Sequence, residues 1–86
     1  MPINQENFSL VIPKSNIKLH FEKYNNGNWK ASVINDYTGK KYIISRSTNN
    51  QGVADLCQDV VNQFDYLPKT LADIKRYFIN KLNRYV

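Results

Sequence analysis

Two hairpin turns and a helix start follow one another within residues 25–48, and no other stretch constrains the fold as much. Asn26-Gly27 lies between two runs of alternating apolar residues, and Asp36-Tyr37-Thr38-Gly39 does the same one strand later. Asn-Gly favours a tight hairpin because both residues tolerate the two positive-φ positions of a type I′ turn. Thr48 and Gln51 then stand at capping-box spacing, just ahead of an apolar run at helical period. The pattern predicts strand, hairpin, strand, hairpin, strand and helix in unbroken succession.

The alternation assigns the faces. Ile17, Leu19 and Phe21 alternate with Lys18, His20 and Glu22, and Trp29, Ala31 and Val33 alternate with Lys30, Ser32 and Ile34. A third strand runs through residues 42–46. Three strands with short loops make an antiparallel meander, covered on one face and solvated on the other. The wet face is expected to gather Lys18, His20, Lys30, Ser32, Lys41, Ile43 and Ser45, with Lys23, Tyr24, Tyr37 and Lys40 near the loops. Upstream, residues 8–12 form a short β-prone run stopped by Pro13, which suits an edge strand. Residues 1–7 read as a flexible tail.

Two helices complete the chain. Val53, Leu56, Cys57, Val60, Val61 and Phe64 make an amphipathic stripe for a helix over residues 49–64. Gly52 in its first turn lowers its propensity. Leu67-Pro68 breaks it, and Thr70 is placed to cap a second helix with Leu71, Ile74, Phe78, Leu82 and Tyr85 inward. Lys75, Arg76, Lys81 and Arg84 then face outward or sideways. The expected fold is α+β: a three- or four-stranded antiparallel sheet followed by two C-terminal helices packed on one face. The 86 residues make a single domain, with too little chain for a second core.

With one cysteine, Cys57, no disulfide within the chain is possible. That, together with the absence of an export-type leader and of an apolar run near the ~18 residues of a membrane span, predicts a cytoplasmic setting with no membrane partner. The net charge is +5 and unevenly spread: +4 over residues 1–46, −3 over 47–67 and +4 over 68–86. A basic surface attracts nucleic acid or an acidic protein face, although solubility accounts for such a charge equally well.

Catalytic signatures are missing. His20 is the only histidine and stands on the polar face of a strand, where a solvated side chain is the ordinary outcome. Cys57 falls inside the helical stripe between Asp55 and Asp59, which suits a small core residue better than a nucleophile. One histidine and one cysteine do not make a zinc site. Ser45 and Ser47 lack a Gly-x-Ser-x-Gly elbow, and the three glycines form no phosphate loop. No enzyme activity, cofactor, metal or small-molecule substrate is expected. Lysines interleaved with tyrosines carry the remaining signal, since tyrosine offers rigid amphipathic contact area and this combination suits nucleic acid. The candidate binding residues are Lys18, Tyr24, Lys30, Tyr37, Lys40, Lys41, Arg46, Lys75 and Arg76.

Two family resemblances bear on this. Residues 27–33, then Asp36, Thr38-Gly39-Lys40-Lys41, a third strand and a helix resemble the AP2-like arm-binding domain of phage integrases. That resemblance covers about half the chain and implies a three-stranded sheet lying in a DNA major groove. The third strand here carries Ile43-Ile44 where those sheets concentrate arginine and lysine, and a second helix follows. The order strand, strand, strand, helix, helix, with Lys41-Tyr42-Ile43-Ile44-Ser45-Arg46-Ser47 entering the first helix, resembles the small phage-encoded Cas9 inhibitors of the type II-A anti-CRISPR group. Those inhibitors are acidic DNA mimics, whereas this chain is basic, so the resemblance implies a different partner face. The expected function is that of a non-enzymatic phage or mobile-element accessory protein. It would inhibit host nucleic-acid machinery by binding a protein or ribonucleoprotein that presents an acidic or nucleic-acid surface. A small DNA-binding module is the alternative.

Overall fold

The computed structural model describes residues 3–83. Four strands, β1 (Ile3–Val11), β2 (Ile17–Tyr24), β3 (Trp29–Asn35) and β4 (Lys41–Thr48), precede helix α1 (Asn50–Gln63), a 3-10 turn (Phe64–Tyr66) and helix α2 (Leu71–Leu82). The sheet is an antiparallel meander in the order β1-β2-β3-β4, so the α+β fold with two C-terminal helices is as expected. The register sets Phe8 opposite Phe21, and Phe21 opposite Ala31. One row below, Leu10 faces Leu19, Leu19 faces Val33, and Val33 faces Tyr42. These positions share the face that both helices cover.

The first strand starts at Ile3, where a tail and then a strand from Phe8 were expected. An edge strand is held to its single neighbour by backbone hydrogen bonds, so the polar Asn7 and Ser9 join it without an apolar pattern. The first hairpin also differs. Asn26 does not take a positive φ. The Gly27 N–H donates to the Tyr24 carbonyl at 3.1 Å, and the Tyr24 N–H to that of Asn28 at 2.8 Å. Gly27, at φ +90°, holds the left-handed position of a three-residue loop. The Asn26 side chain accepts from the Asn28 N–H at 2.9 Å, which its negative-φ backbone allows.

The helix starts follow from local chemistry. Asn49, not Thr48, caps α1, its Oδ1 accepting from the Gly52 N–H at 2.8 Å. Thr48 is still paired opposite Trp29 in the sheet, so the cap falls one residue later. Gln51 donates to Asp55 at 3.0 Å instead of closing a capping box. Thr70 caps α2 as its position predicts, accepting from Asp73 N–H at 3.3 Å.

The core joins Ile12, Ile17, Leu19, Phe21, Ala31, Val33 and Ile44 of the sheet side to Val53, Leu56, Val60, Leu67, Ile74, Phe78 and Leu82. Trp29 and Tyr42 pack at its margin and are only partly buried. Two residues of the expected α1 stripe lie outside it. Val61 is 64% exposed, and Phe64 has rotated away where the chain tightens into the 3-10 turn. The Lys14 ammonium sits 5.7 Å from the Phe64 ring, and Leu67 fills the core in its place. Tyr85 and Arg84 lie outside the described residues.

Candidate functional site

Because both helices cover one face, no helix or strand of the described residues covers the other face of the sheet, and its side chains form rows across the strands. The central row is Ser9, His20, Ser32 and Ile43, paired strand to strand. On one side lie Val11, Lys18, Ile34 and Lys41; on the other, Asn7, Glu22 and Lys30. Lysines and aliphatic side chains thus alternate on one surface.

His20 is not simply solvated. Its Nδ1 lies 2.7 Å from Ser9 Oγ and its Nε2 lies 3.2 Å from Glu22 Oε1. Lys41 approaches the same carboxylate at 3.8 Å. Serine, histidine and carboxylate in a line are groups used in nucleophilic catalysis. Here they lie on β1 and β2 of the open sheet face, and none of the three lines either main cavity. The contacts tie edge strand β1 to β2 and hold the Glu22 carboxylate beneath the lysines. Ser32 is 1% exposed and its hydroxyl has no partner. It is the small residue over which its larger cross-strand neighbours close.

The nine candidate binding residues divide into groups. Lys18, Lys30 and Lys41 share the open face, and Tyr24 has the same phase at the end of β2, opposite Ile3. Lys18 is paired with Asp36 at 3.0 Å, and Lys30 stands opposite Glu22 in the ladder. Tyr37 is 85% exposed in the β3–β4 turn. That turn is shaped by Asn35, whose Oδ1 accepts from the N–H groups of Tyr37 and Thr38 at 2.9 and 3.1 Å. Arg46 is exposed on β4.

The other three belong to a different surface. Lys40 turns away from the open face, with its Nζ 5.3 Å from the Tyr42 ring. The Tyr42 hydroxyl raises its pKa above the usual lysine value by favouring the charged form. Lys75, from α2, places its Nζ 4.8 Å from the same ring, and Arg76 follows on the same helix. Lys23, expected beside the wet face, instead lies 5.6 Å from the Trp29 ring. Tyr42 as a meeting point of two lysines is not visible in sequence, because Lys75 reaches it only once α2 has docked.

A polar link between the helices also escapes the sequence. Asp59 on α1 is 6% exposed and accepts from the Tyr77 hydroxyl at 3.0 Å and from Lys81 Nζ at 2.9 Å. One signal existed, since Asp59 stands between Leu56 and Val60 within the apolar stripe. Burial pushes the Cys57 thiol pKa up, which lowers its thiolate population. Among the described residues no group of three or more His, Cys, Asp or Glu is arranged to hold a metal, and no helix is long and apolar enough to cross a membrane.

No protein-family model, curated protein or solved structure significantly matches the chain.

Proposed function

We propose that this protein acts by binding, as a non-enzymatic phage or mobile-element accessory protein that docks on host nucleic-acid machinery and blocks it. Inhibition of a Cas9-type effector is the sharpest form of this reading. The observation that carries it is the uncovered sheet face, where Lys18, Lys30 and Lys41 lie among Val11, Ile34 and Ile43. Aliphatic anchors ringed by cations suit a protein or ribonucleoprotein surface that presents acidic groups. The resemblance of residues 41–47 to the type II-A inhibitors supports the choice of target class, and the basic charge sets the partner face apart from that of the acidic inhibitors.

DNA itself is the second reading, favoured by the succession β2, β3, β4, α1, which is the order of an AP2-like sheet, although α2 supplies most of the helix packing on β3 and β4. Against it stand Val11, Ile34 and Ile43, as many aliphatic side chains as lysines on this face, which give phosphates nothing to bind but suit the apolar centre of a protein interface. Salt separates the two, because phosphate binding falls linearly in log salt with a slope set by the contacts made. Purified protein is titrated into a cleavage reaction of guide-loaded type II-A Cas9, and its binding to duplex DNA is followed across salt. Stoichiometric loss of cleavage with weak DNA binding is expected. Full cleavage at excess protein refutes the Cas9 form, and tight, steeply salt-dependent DNA binding transfers the function to the DNA module.

A further inference from the structure

A groove runs between the outer edge of β4 and helix α2. It opens into two cavities of ≈ 280 and ≈ 330 Å³ that share Ile79 as a wall. Ile44, Ser45, Ser47, Thr48 and Leu82 line the first, and Tyr42, Ala72, Lys75 and Arg76 the second. We infer that this groove binds an extended acidic peptide, which adds to β4 as a fifth strand.

Three observations carry it. First, β4 is the last strand in the sheet order, so one row of its backbone N–H and C=O groups has no neighbouring strand among the described residues. Such a row is a template for strand addition. Register shifts towards β3 occur at residues 29–32 of that strand, opposite the second half of β4. Regular pairing of an incoming strand is therefore confined to residues 41–43, beside the second cavity.

Second, the groove has the right floor. Ile44, Ile79 and Leu82 give an apolar strip along α2, and Asn28, Ser45, Ser47, Thr48, Asn49 and Asn83 surround it with hydrogen-bonding groups in the first cavity. In an extended peptide alternate side chains point the same way and stand about 7 Å apart. Side chains at such positions enter the two cavities in turn. The opposite edge strand, β1, lines neither cavity.

Third, the mouth is cationic and not neutralised. Lys40 and Lys75 flank the Tyr42 ring, and neither has an acidic partner among the described residues. Arg76 has only Asp73, at 3.6 Å with both side chains exposed. This contrasts with the open face, where Lys18 and Lys41 are paired. Lys75 and Arg76 line the second cavity itself, so the side chains that enter the groove are glutamate or aspartate, and the intervening residues point away from it. The site is independent of the sheet-face reading, since it uses the other side of the molecule.

The test uses a fluorescein-labelled peptide in which valine alternates with glutamate, followed by fluorescence anisotropy with the full chain. Two control peptides replace the glutamates by lysine or alternate valines by proline, which removes the N–H groups needed for strand addition. The acidic peptide is expected to bind, with the lysine and proline peptides weaker by roughly tenfold or more. Lys75→Glu/Arg76→Glu is expected to weaken binding by a similar factor, whereas Lys30→Gln/Lys41→Gln leaves it unchanged. The inference is overturned if the lysine peptide binds as well as the acidic one, or if the proline peptide binds equally, which is attraction without strand pairing. Loss of binding in Lys30→Gln/Lys41→Gln alone, or a dimer through β4 that the peptide does not dissociate, overturns it too. The peptide controls act on wild-type protein, so the test survives a variant that fails to fold.

Discussion

Replacing Asp59 with Ala tests how the two helices are joined. The carboxylate is 6% exposed and accepts two hydrogen bonds from α2, from Tyr77 at 3.0 Å and Lys81 at 2.9 Å. A hydrogen bond to a charged group is worth about 1.5–3 kcal/mol, and a neutral one about 1 kcal/mol. The full value is not lost, because the Lys81 side chain is 22% exposed and regains water once its partner is gone. Alanine also returns about 0.5 kcal/mol of helix propensity. The net expectation is a loss of about 2 kcal/mol. A domain of this size holds roughly 4–13 kcal/mol in all, and each kcal/mol moves its melting temperature by about 4–8 °C. Thermal denaturation should therefore show a drop of about 8–16 °C. Double-mutant cycles of Asp59→Ala with Tyr77→Phe and with Lys81→Met should give couplings of about 1 kcal/mol each. An Asp59→Ala protein that melts within about 2 °C of wild type, with couplings inside the ~0.3 kcal/mol error of a cycle, refutes the link.

Three further outcomes follow from the packing. Phe78 is fully buried, so Phe78→Ala should lower the unfolding free energy by about 3–5 kcal/mol in urea titration, enough to leave much of the protein unfolded. Gly52→Ala should destabilise by about 1–3 kcal/mol despite a gain of about 1 kcal/mol in helix propensity, as the drop in urea midpoint will show. An added Cβ would overlap Thr48 Oγ1 and sit 3.1 Å from Leu82 Cδ2, and the buried, β-branched Thr48 has few rotamers with which to move aside. The Cys57 thiol, its pKa raised by burial, should react with a disulfide reagent more slowly in the native protein than in urea. At a pH below its raised value the native thiolate fraction is smaller than that of an unfolded cysteine, and the two rates should converge as pH rises through it.

The strands and helices were legible where one physical signal acted alone. Period-two alternation in residues 17–22 and 29–34 placed two strands and their faces, and Thr70 placed a helix start. Sequence pattern and structure differ where two signals compete. At Thr48 the capping box lost to sheet pairing with Trp29, and at Asn26-Gly27 the side-chain bond to Asn28 selected a longer loop than a type I′ turn. Ile3–Val11 was invisible over its first half because an edge strand needs backbone partners more than apolar side chains. The open face was legible from the phases of Lys18, Lys30 and Lys41. The second basic group was not, since Lys40 and Lys75 are distant in sequence and meet only at the Tyr42 ring.

The working role of the open sheet face is tested most directly by neutralising Lys30 and Lys41. Charge reversal is the less clean perturbation, because Glu22, which is opposite Lys30 and 3.8 Å from Lys41, would then face two more carboxylates. Like charges placed directly opposite destabilise a sheet. The Lys30→Gln/Lys41→Gln protein keeps the side-chain bulk and should melt within a few degrees of wild type, since partly exposed charges contribute only about 0–1 kcal/mol. Wild-type and variant protein are immobilised side by side, exposed to host lysate, and the retained proteins and nucleic acids are quantified. Capture of host nucleic-acid machinery by the wild type, and its loss in the folded variant, is the predicted result. A variant that retains the same partners in the same amounts contradicts the account, because the open face is then not the surface through which the protein acts.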